Sequence, residues 1–239
     1  MIINVGRKPH VVFENRLAKA KKIESIIKLE KKIKSEHKLL EVGTGSGEIA
    51  FYYAKHYQQE VFAVDISDNR QFVNGYSFQL VSDTKLPYDD NFFDIVISNH
   101  VIEHVGEKQQ QQQHLDEINR VLKPDGILYL AVPNRWMLVE PHYQLIFLSW
   151  LPKKFRSYYL KKLRNIDFYD CEPLQQNEVE YLLRESKFEY RNYCVEALDI
   201  FVREEKGYRG IYGIFRWIPS WLLKKIVWLI PTQIYVAKR

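Results

Sequence analysis

The chain has 239 residues, 46% of them hydrophobic and 27% charged, which excludes a disordered segment, a repeat array and an integral membrane protein. Its 35 Lys and Arg against 30 Asp and Glu give a net charge of +5, a mild excess that draws anionic partners without identifying nucleic acid. Cys171 and Cys194 are the only cysteines and have no CxxC spacing, so neither a disulfide framework nor a metal site is indicated and a cytoplasmic setting is expected.

The first residues, MIINVGRKPHVV, lack the long apolar run of an export signal. Residues 7–38 are rich in lysine, and Ile23, Ile26, Ile27, Leu29 and Ile33 recur at helical spacing, which predicts a basic amphipathic helix within 1–37. From residue 38 the pattern becomes an alternation. Seven apolar runs read as strands: 38–43, 60–66, 78–83, 93–100, 126–134, 190–198 and 232–239. Between them, 49–57, 67–76, 107–122 and 173–186 have helical length. This order predicts an α/β fold, a doubly wound and mostly parallel seven-stranded sheet with helices on both faces, over 38–239. The five glutamines 109–113 are expected on the wet face of the third helix. Two segments interrupt the rhythm, at about 135–171 and 199–231, and loops at carboxyl ends of parallel strands are where such folds place specificity.

Residues 39–48, LLEVGTGSGE, set a buried-looking strand, three alternating glycines and a helix start in immediate succession. Glycine lets a ligand lie against bare amides. A dinucleotide fingerprint GxGxxG would need a glycine where Glu48 stands, which argues against a dehydrogenase. Glu41 before the turn would disfavour a pyrophosphate and welcome a cationic ligand, or else tie the loop amides. Asp65 ends the second strand candidate, where a carboxylate can accept from ribose hydroxyls. Asp83 closes the third and would suit the exocyclic amine of an adenine. Strand-end capping is the plain alternative for both aspartates.

Taken with the run DTKLPYDDNFFDIV at 83–96, IEHV at 102–105 and RVLKPDGILYLAVPN at 120–134, this chain resembles the class I S-adenosylmethionine-dependent methyltransferases of the type 11, ubiquinone-pathway-like group. The resemblance covers about 39–133. It implies a Rossmann-like methyltransferase fold and S-adenosylmethionine as cofactor, with S-adenosylhomocysteine as product. It also implies a cofactor site of Glu41, Gly43, Thr44, Gly45, Gly47, Asp65, Ile66, Asp83, Thr84 and Asn99. The glycines would lie along the methionine portion, Asp65 at the ribose, Asp83 and Thr84 at the adenine, and Asn99 at the methionine end.

The cofactor carries the activated methyl group, so the protein supplies alignment, desolvation and a base for a hydroxyl acceptor. His100, His104 and His142 are the candidate bases, since imidazole titrates near neutrality. His100-x-x-Glu103-His104 departs from the E-x-x-E-H run associated with a divalent cation in ubiquinone-type enzymes, and no metal is assigned. The pair Glu103–His104 also reads as structural support for the loop.

Residues 145–164 interleave bulky apolar and basic side chains, and 219–230 give one broad aliphatic face with Trp and Lys opposite. Arg216, Lys224 and Lys225 rule out a bilayer span there. The two segments fit contact with a membrane surface, and equally a packed lid or a dimer contact. The expected function is methyl transfer, with O-methylation favoured, to a small or lipid-linked acceptor by a cytoplasmic protein, peripheral at the membrane if those segments meet lipid. The alternatives are an RNA methyltransferase and a catalytically silent cofactor-binding protein.

Overall fold

The computed structural model describes residues 16–140, 143–169, 171–202, 219–225 and 227–239. Seven strands form the main sheet: β1 (Lys38–Val42), β2 (Glu60–Asp65), β3 (Ser77–Leu80), β4 (Phe93–Asn99), β5 (Leu122–Pro133), β8 (Glu189–Asn192) and β9 (Thr232–Lys238). Their order is β3-β2-β1-β4-β5-β9-β8. Neighbours pair parallel through β5, and β9 runs antiparallel to both β5 and β8. The strand order therefore reverses between β1 and β4, which opens a crevice at their carboxyl ends.

Alternate residues feed two cores, as the two-residue strand period requires. Leu39, Ile95, Ile97, Tyr129 and Ala131 face one layer, with α1 (Arg16–Ile27), α2 (Glu48–Tyr57) and α6 (Cys194–Ile200). Leu40, Val96, Leu128, Leu130 and Val132 face the other, with α3 (Lys108–Val121) and α5 (Gln176–Glu185). Continuous burial of β4 and the second half of β5 is what a strand covered on both faces demands.

Several local expectations are corrected. The N-terminal helix closes at Ile27, where i to i+3 bonds tighten the chain and Glu30 pairs with Lys238 and Arg191, so Leu29 is exposed and Ile33 is buried from outside the helix. Ile23, Ile26 and Ile27 still bury fully against the first layer. No helix forms over 67–76: the amides of Gln71 and Phe72 bond to Ser46 O, Gly75 takes φ 86°, and Val73 remains in solvent. The strand expected at 190–198 ends at Asn192, whose side chain accepts from the amide of Cys194 and starts α6. Nor are the glutamines all wet. Gln111 is buried and Gln112 reaches Ser186 Oγ and Leu182 O, so the run joins α3 to α5.

The first insertion holds a two-stranded ladder of β6 (Val139–Glu140) with β7 (Leu145–Ile146), then α4 (Lys153–Arg164). It has its own small core of Leu145, Leu148, Leu160, Tyr169 and Cys171. In the second, α7 (Ser220–Lys225) and a 3₁₀ turn at Val227–Leu229 replace the single helix expected over 219–230; Ile226 lies outside the described residues. Among the described residues no helix is long and apolar enough to cross a membrane.

Candidate functional site

The glycine loop leaves β1 at the crevice. The amides of Gly43 and Thr44 both bond to Val64 O, which holds the loop against β2. Gly43, Gly45 and Gly47 have φ of 73°, 56° and 79°, a region costly to residues with a Cβ. At two of them packing alone demands glycine: a Cβ on Gly43 would overlap Val101, and one on Gly47 would overlap Tyr76 and Phe72 O.

Glu41 points to the helix layer and is buried beneath the loop. Its Oε2 accepts from Thr44 Oγ1 (2.7 Å) and from the amide of Ala50 (3.0 Å) in the first turn of α2. The carboxylate thus satisfies a helix N-terminal donor and braces the loop from below. Asp65, at the end of β2, accepts from the amide of Gly45 (2.8 Å) and of Ser67 (3.3 Å). Ile66 beside it is 66% exposed, an unburied aliphatic chain at the mouth of a polar loop. Val81 N bonds to Asp65 O, so Asp83 and Thr84 follow along the same rim; Asp83 is exposed and accepts from Lys85 N (2.8 Å). Asn99 ends β4 level with Ala131 of β5. Nine of the ten expected cofactor residues therefore lie on one carboxyl rim, and the tenth, Glu41, lies under it. Positive-φ glycines, a strand-end carboxylate and an exposed apolar wall fit a nucleoside with a short polar extension.

His100 follows Asn99 with φ 58°, a strained conformation for a side chain of its size, and its amide bonds to Ala131 O (2.9 Å). Its Nδ1 stands 3.5 Å from Oε1 of Glu103, and His104 Nε2 stands 3.9 Å from the same oxygen. Glu103 is only 1% exposed, and neither carboxylate oxygen has a hydrogen bond of good geometry. Burial pushes this carboxyl up, and His100 and His104 beside it draw it below the ordinary range. Cys171 Sγ lies 3.8 Å from His104 Nδ1. Two histidines expected at the site thus share one buried carboxylate. His142 lies outside the described residues.

Sequence reasoning missed the pair beneath them. His114 Nε2 and Ser98 Oγ are 3.0 Å apart in the core, and burial pushes the imidazole down to about 4. Its place at the end of a glutamine run offered no signal. Among the described residues no group of three or more His, Cys, Asp or Glu could hold a metal ion.

Residues 40–130 match the family model described as a methyltransferase domain. A demethylmenaquinone methyltransferase of Chlorobaculum tepidum is 29% identical over 131 residues, 49% of this chain and 50% of that protein. An uncharacterized methyltransferase of Schizosaccharomyces pombe is 33% identical over 40% of each chain. This chain thus spans half or less of the length of these curated relatives. Among solved structures, Haemonchus contortus phosphoethanolamine N-methyltransferase 2, with phosphomonomethylethanolamine and S-adenosylhomocysteine, superposes with a TM-score of 0.54 at 16% identity, covering 92% of this chain and 53% of that one. A chain from the complex of the Haloferax volcanii Trm112 methyltransferase activator with a methyltransferase gives 0.57 at 17% identity, covering 92% and 90%. At these identities the structural likeness shows the Rossmann-like methyltransferase fold.

Proposed function

We propose that this chain is a class I S-adenosylmethionine-dependent methyltransferase of the type 11 group and that it transfers a methyl group to an oxygen of a small, lipid-linked acceptor. The observation that carries the reading is the convergence of Gly45, Asp65, Ile66 and Asn99 on one rim at the strand reversal. Gly43–Gly47 would hold the methionine portion, Asp65 the ribose hydroxyls, Ile66 a face of the adenine, and Asp83 with Thr84 its edge. Asn99 would meet the methionine end.

When bound, S-adenosylmethionine supplies a sulfonium-activated methyl group, which leaves alignment, desolvation and proton handling to the protein. His100 is the base we assign, with His104 second. A proton held on His100 Nδ1 toward Glu103 makes Nε2 the basic nitrogen, and the buried carboxylate stabilises the imidazolium once Nε2 takes the acceptor's proton. The lipid link is supported by the first insertion. Phe155 and Tyr158 of α4 stand in solvent among Lys154, Lys161 and Lys162; Ile146 and Phe147, shortly before α4, are exposed too, as is Trp221 in the second insertion. These residues fit membrane-surface contact through 145–164 and 219–230.

Calorimetric titration with S-adenosylmethionine, S-adenosylhomocysteine and NADH tests the reading. Saturable binding of the first two and none of NADH is expected. Binding of NADH, or of none of the three with and without lipid vesicles, would overturn it.

A further inference from the structure

Asn134 stands at the end of β5, and its buried side chain ties the two insertions together. Nδ2 donates to the carbonyls of Trp228 (2.6 Å) and Ile230 (2.9 Å), and Oδ1 accepts from the amide of Trp136 (3.0 Å). Its backbone bridges to Leu174, just ahead of α5. One residue therefore fixes where two tryptophans stand. Beside them is a pocket of about 280 Å3 whose remaining walls are Gln175, Gln176, Asn177 and Glu180 at the start of α5.

The lining excludes ligand classes. Among the described residues no Lys or Arg lines the pocket and Glu180 does, while the Arg135 guanidinium stands 5.8 Å from the ring centre of Trp136, so the charges about its walls offset and the lining holds no built anion site. The helix start is no anion site either, because Gln175 and Glu178 close a reciprocal capping box on their own amides. Nor is Glu180 a bare charge for an ammonium group. Its Oε1 accepts from Gln176 Nε2 (2.8 Å) and Tyr235 Oη (3.3 Å), and its Oε2 from Tyr190 Oη (3.5 Å). Gln175 Oε1 is held in the cap and Gln176 Nε2 on Glu180, so what remains is flat indole beside the whole Asn177 carboxamide, Gln175 Nε2 and Gln176 Oε1. Carboxamides present a donor and an acceptor side by side, which is what hydroxyls on adjacent ring carbons require, and indole faces take the ring's C–H surface.

We propose that this pocket binds one uncharged pyranose ring of the acceptor, packed on Trp136 and Trp228 and read by the carboxamides of α5. Its volume falls just below the usual span of ligand sites, roughly 300–1,000 Å3, which limits it to a single ring. It also lies on the working rim. Ala131 pairs with Asn99, and Asn134 is three residues further along the chain, about 10 Å at strand spacing, so a ring held there sits near the group that is methylated. The assignment of that ring to the acceptor rests on the methyltransferase reading; ring binding itself does not.

The test is ligand-observed saturation-transfer NMR with tryptophan fluorescence on the full chain. The probes are methyl glucoside, galactoside, mannoside and N-acetylglucosaminide, with tetramethylammonium chloride and sodium phosphate as controls. At least one glycoside is expected to show ring-proton saturation and to lose about tenfold or more in affinity in Trp228→Ala and in Asn177→Ala, each with unchanged circular dichroism. Trp221→Ala, outside the pocket, is expected to bind as the parent does. No signal from any glycoside, a signal that survives both pocket variants, or preferential binding of tetramethylammonium that Glu180→Gln removes would each overturn the proposal. S-adenosylmethionine titration runs in parallel. Glycoside binding without cofactor binding would sink the enzyme reading and leave the ring site, and the reverse would sink the ring site alone.

Discussion

The backbone amide of Gly45 donates to Oδ2 of Asp65 across 2.8 Å and joins the middle of the glycine loop to the end of β2. Two groups expected to contact different parts of one cofactor are therefore mechanically coupled. The contact also aims the carboxylate, since Ser67 N holds the other oxygen.

Asp65→Ala removes the anchor of the loop and the acceptor for the ribose together. S-adenosylmethionine affinity is expected to fall by about 10- to 100-fold, the loss of one to two charge-assisted hydrogen bonds. Asp65→Asn keeps an acceptor and should fall less. Calorimetry on both variants checks this, and parental affinity in the alanine variant would remove Asp65 from the site.

Glu41→Ala should act on stability first. The substitution removes the buried acceptor of Thr44 Oγ1 and of the Ala50 amide, at a cost of about 2–4 kcal/mol for two lost hydrogen bonds and a lost helix N-terminal anion. Urea unfolding reads the loss. A variant as stable as the parent, yet unable to bind S-adenosylmethionine, would make Glu41 a ligand contact and not a brace.

Much of this architecture is legible in the sequence because burial and period coincide. β1, β4 and β5 are apolar runs that must be covered on both faces, and the glycine spacing at 43, 45 and 47 has no use in an ordinary strand-to-helix turn. Illegible features depend on partners distant in the chain. The segment 67–76 has helical length, but its amides are captured by Ser46, a contact no local pattern encodes. Gln111 and His114 look like a polar helix face until Glu172 and Ser98 are brought to them. Asn134 resembles any residue after a strand, and its reach to Trp228, 94 positions away, appears only in three dimensions.

His114 makes stability depend on pH. Its folded pKa of about 4 lies below the unfolded value of 6.5, so the unfolded chain binds the extra proton between them. The contribution is present in full above 6.5, falls as pH drops toward 4 and then levels off. Between pH 7.5 and 5 the parent should lose about 2 kcal/mol from this group. Urea melts at the two values, compared with His114→Gln, isolate it. An equal loss in both proteins would mean that His114 is not the source.

Glu103→Gln tests the shared carboxylate. With the charge gone, the proton preference of His100 Nδ1 and His104 Nε2 should change, which nitrogen-15 spectra of the two rings report without any acceptor. Unaltered ring spectra would remove Glu103 as the group that orients them.

The outward face of α4 carries Lys154, Phe155, Tyr158, Lys161 and Lys162, and the helix KKFRSYYLKKLR has no acidic residue. Phe155 is 50% and Tyr158 67% exposed, whereas Arg156 and Leu160 turn inward onto the small core of the insertion. Aromatic side chains between lysines suit the boundary of an anionic bilayer, where rings enter the interface and ammonium groups meet head-group phosphates. Co-sedimentation should therefore show binding to vesicles containing phosphatidylglycerol and little to phosphatidylcholine alone. Phe155→Ser with Tyr158→Ser should weaken it by about tenfold, roughly 1.4 kcal/mol, and each lysine reversed to Glu by about 1 kcal/mol or more at low salt. Both sets should leave S-adenosylmethionine affinity intact, because α4 stands apart from the glycine loop in its own core. If the vesicles are ignored and the same substitutions instead dissolve a dimer in light scattering, this face meets a second copy of the chain and not lipid.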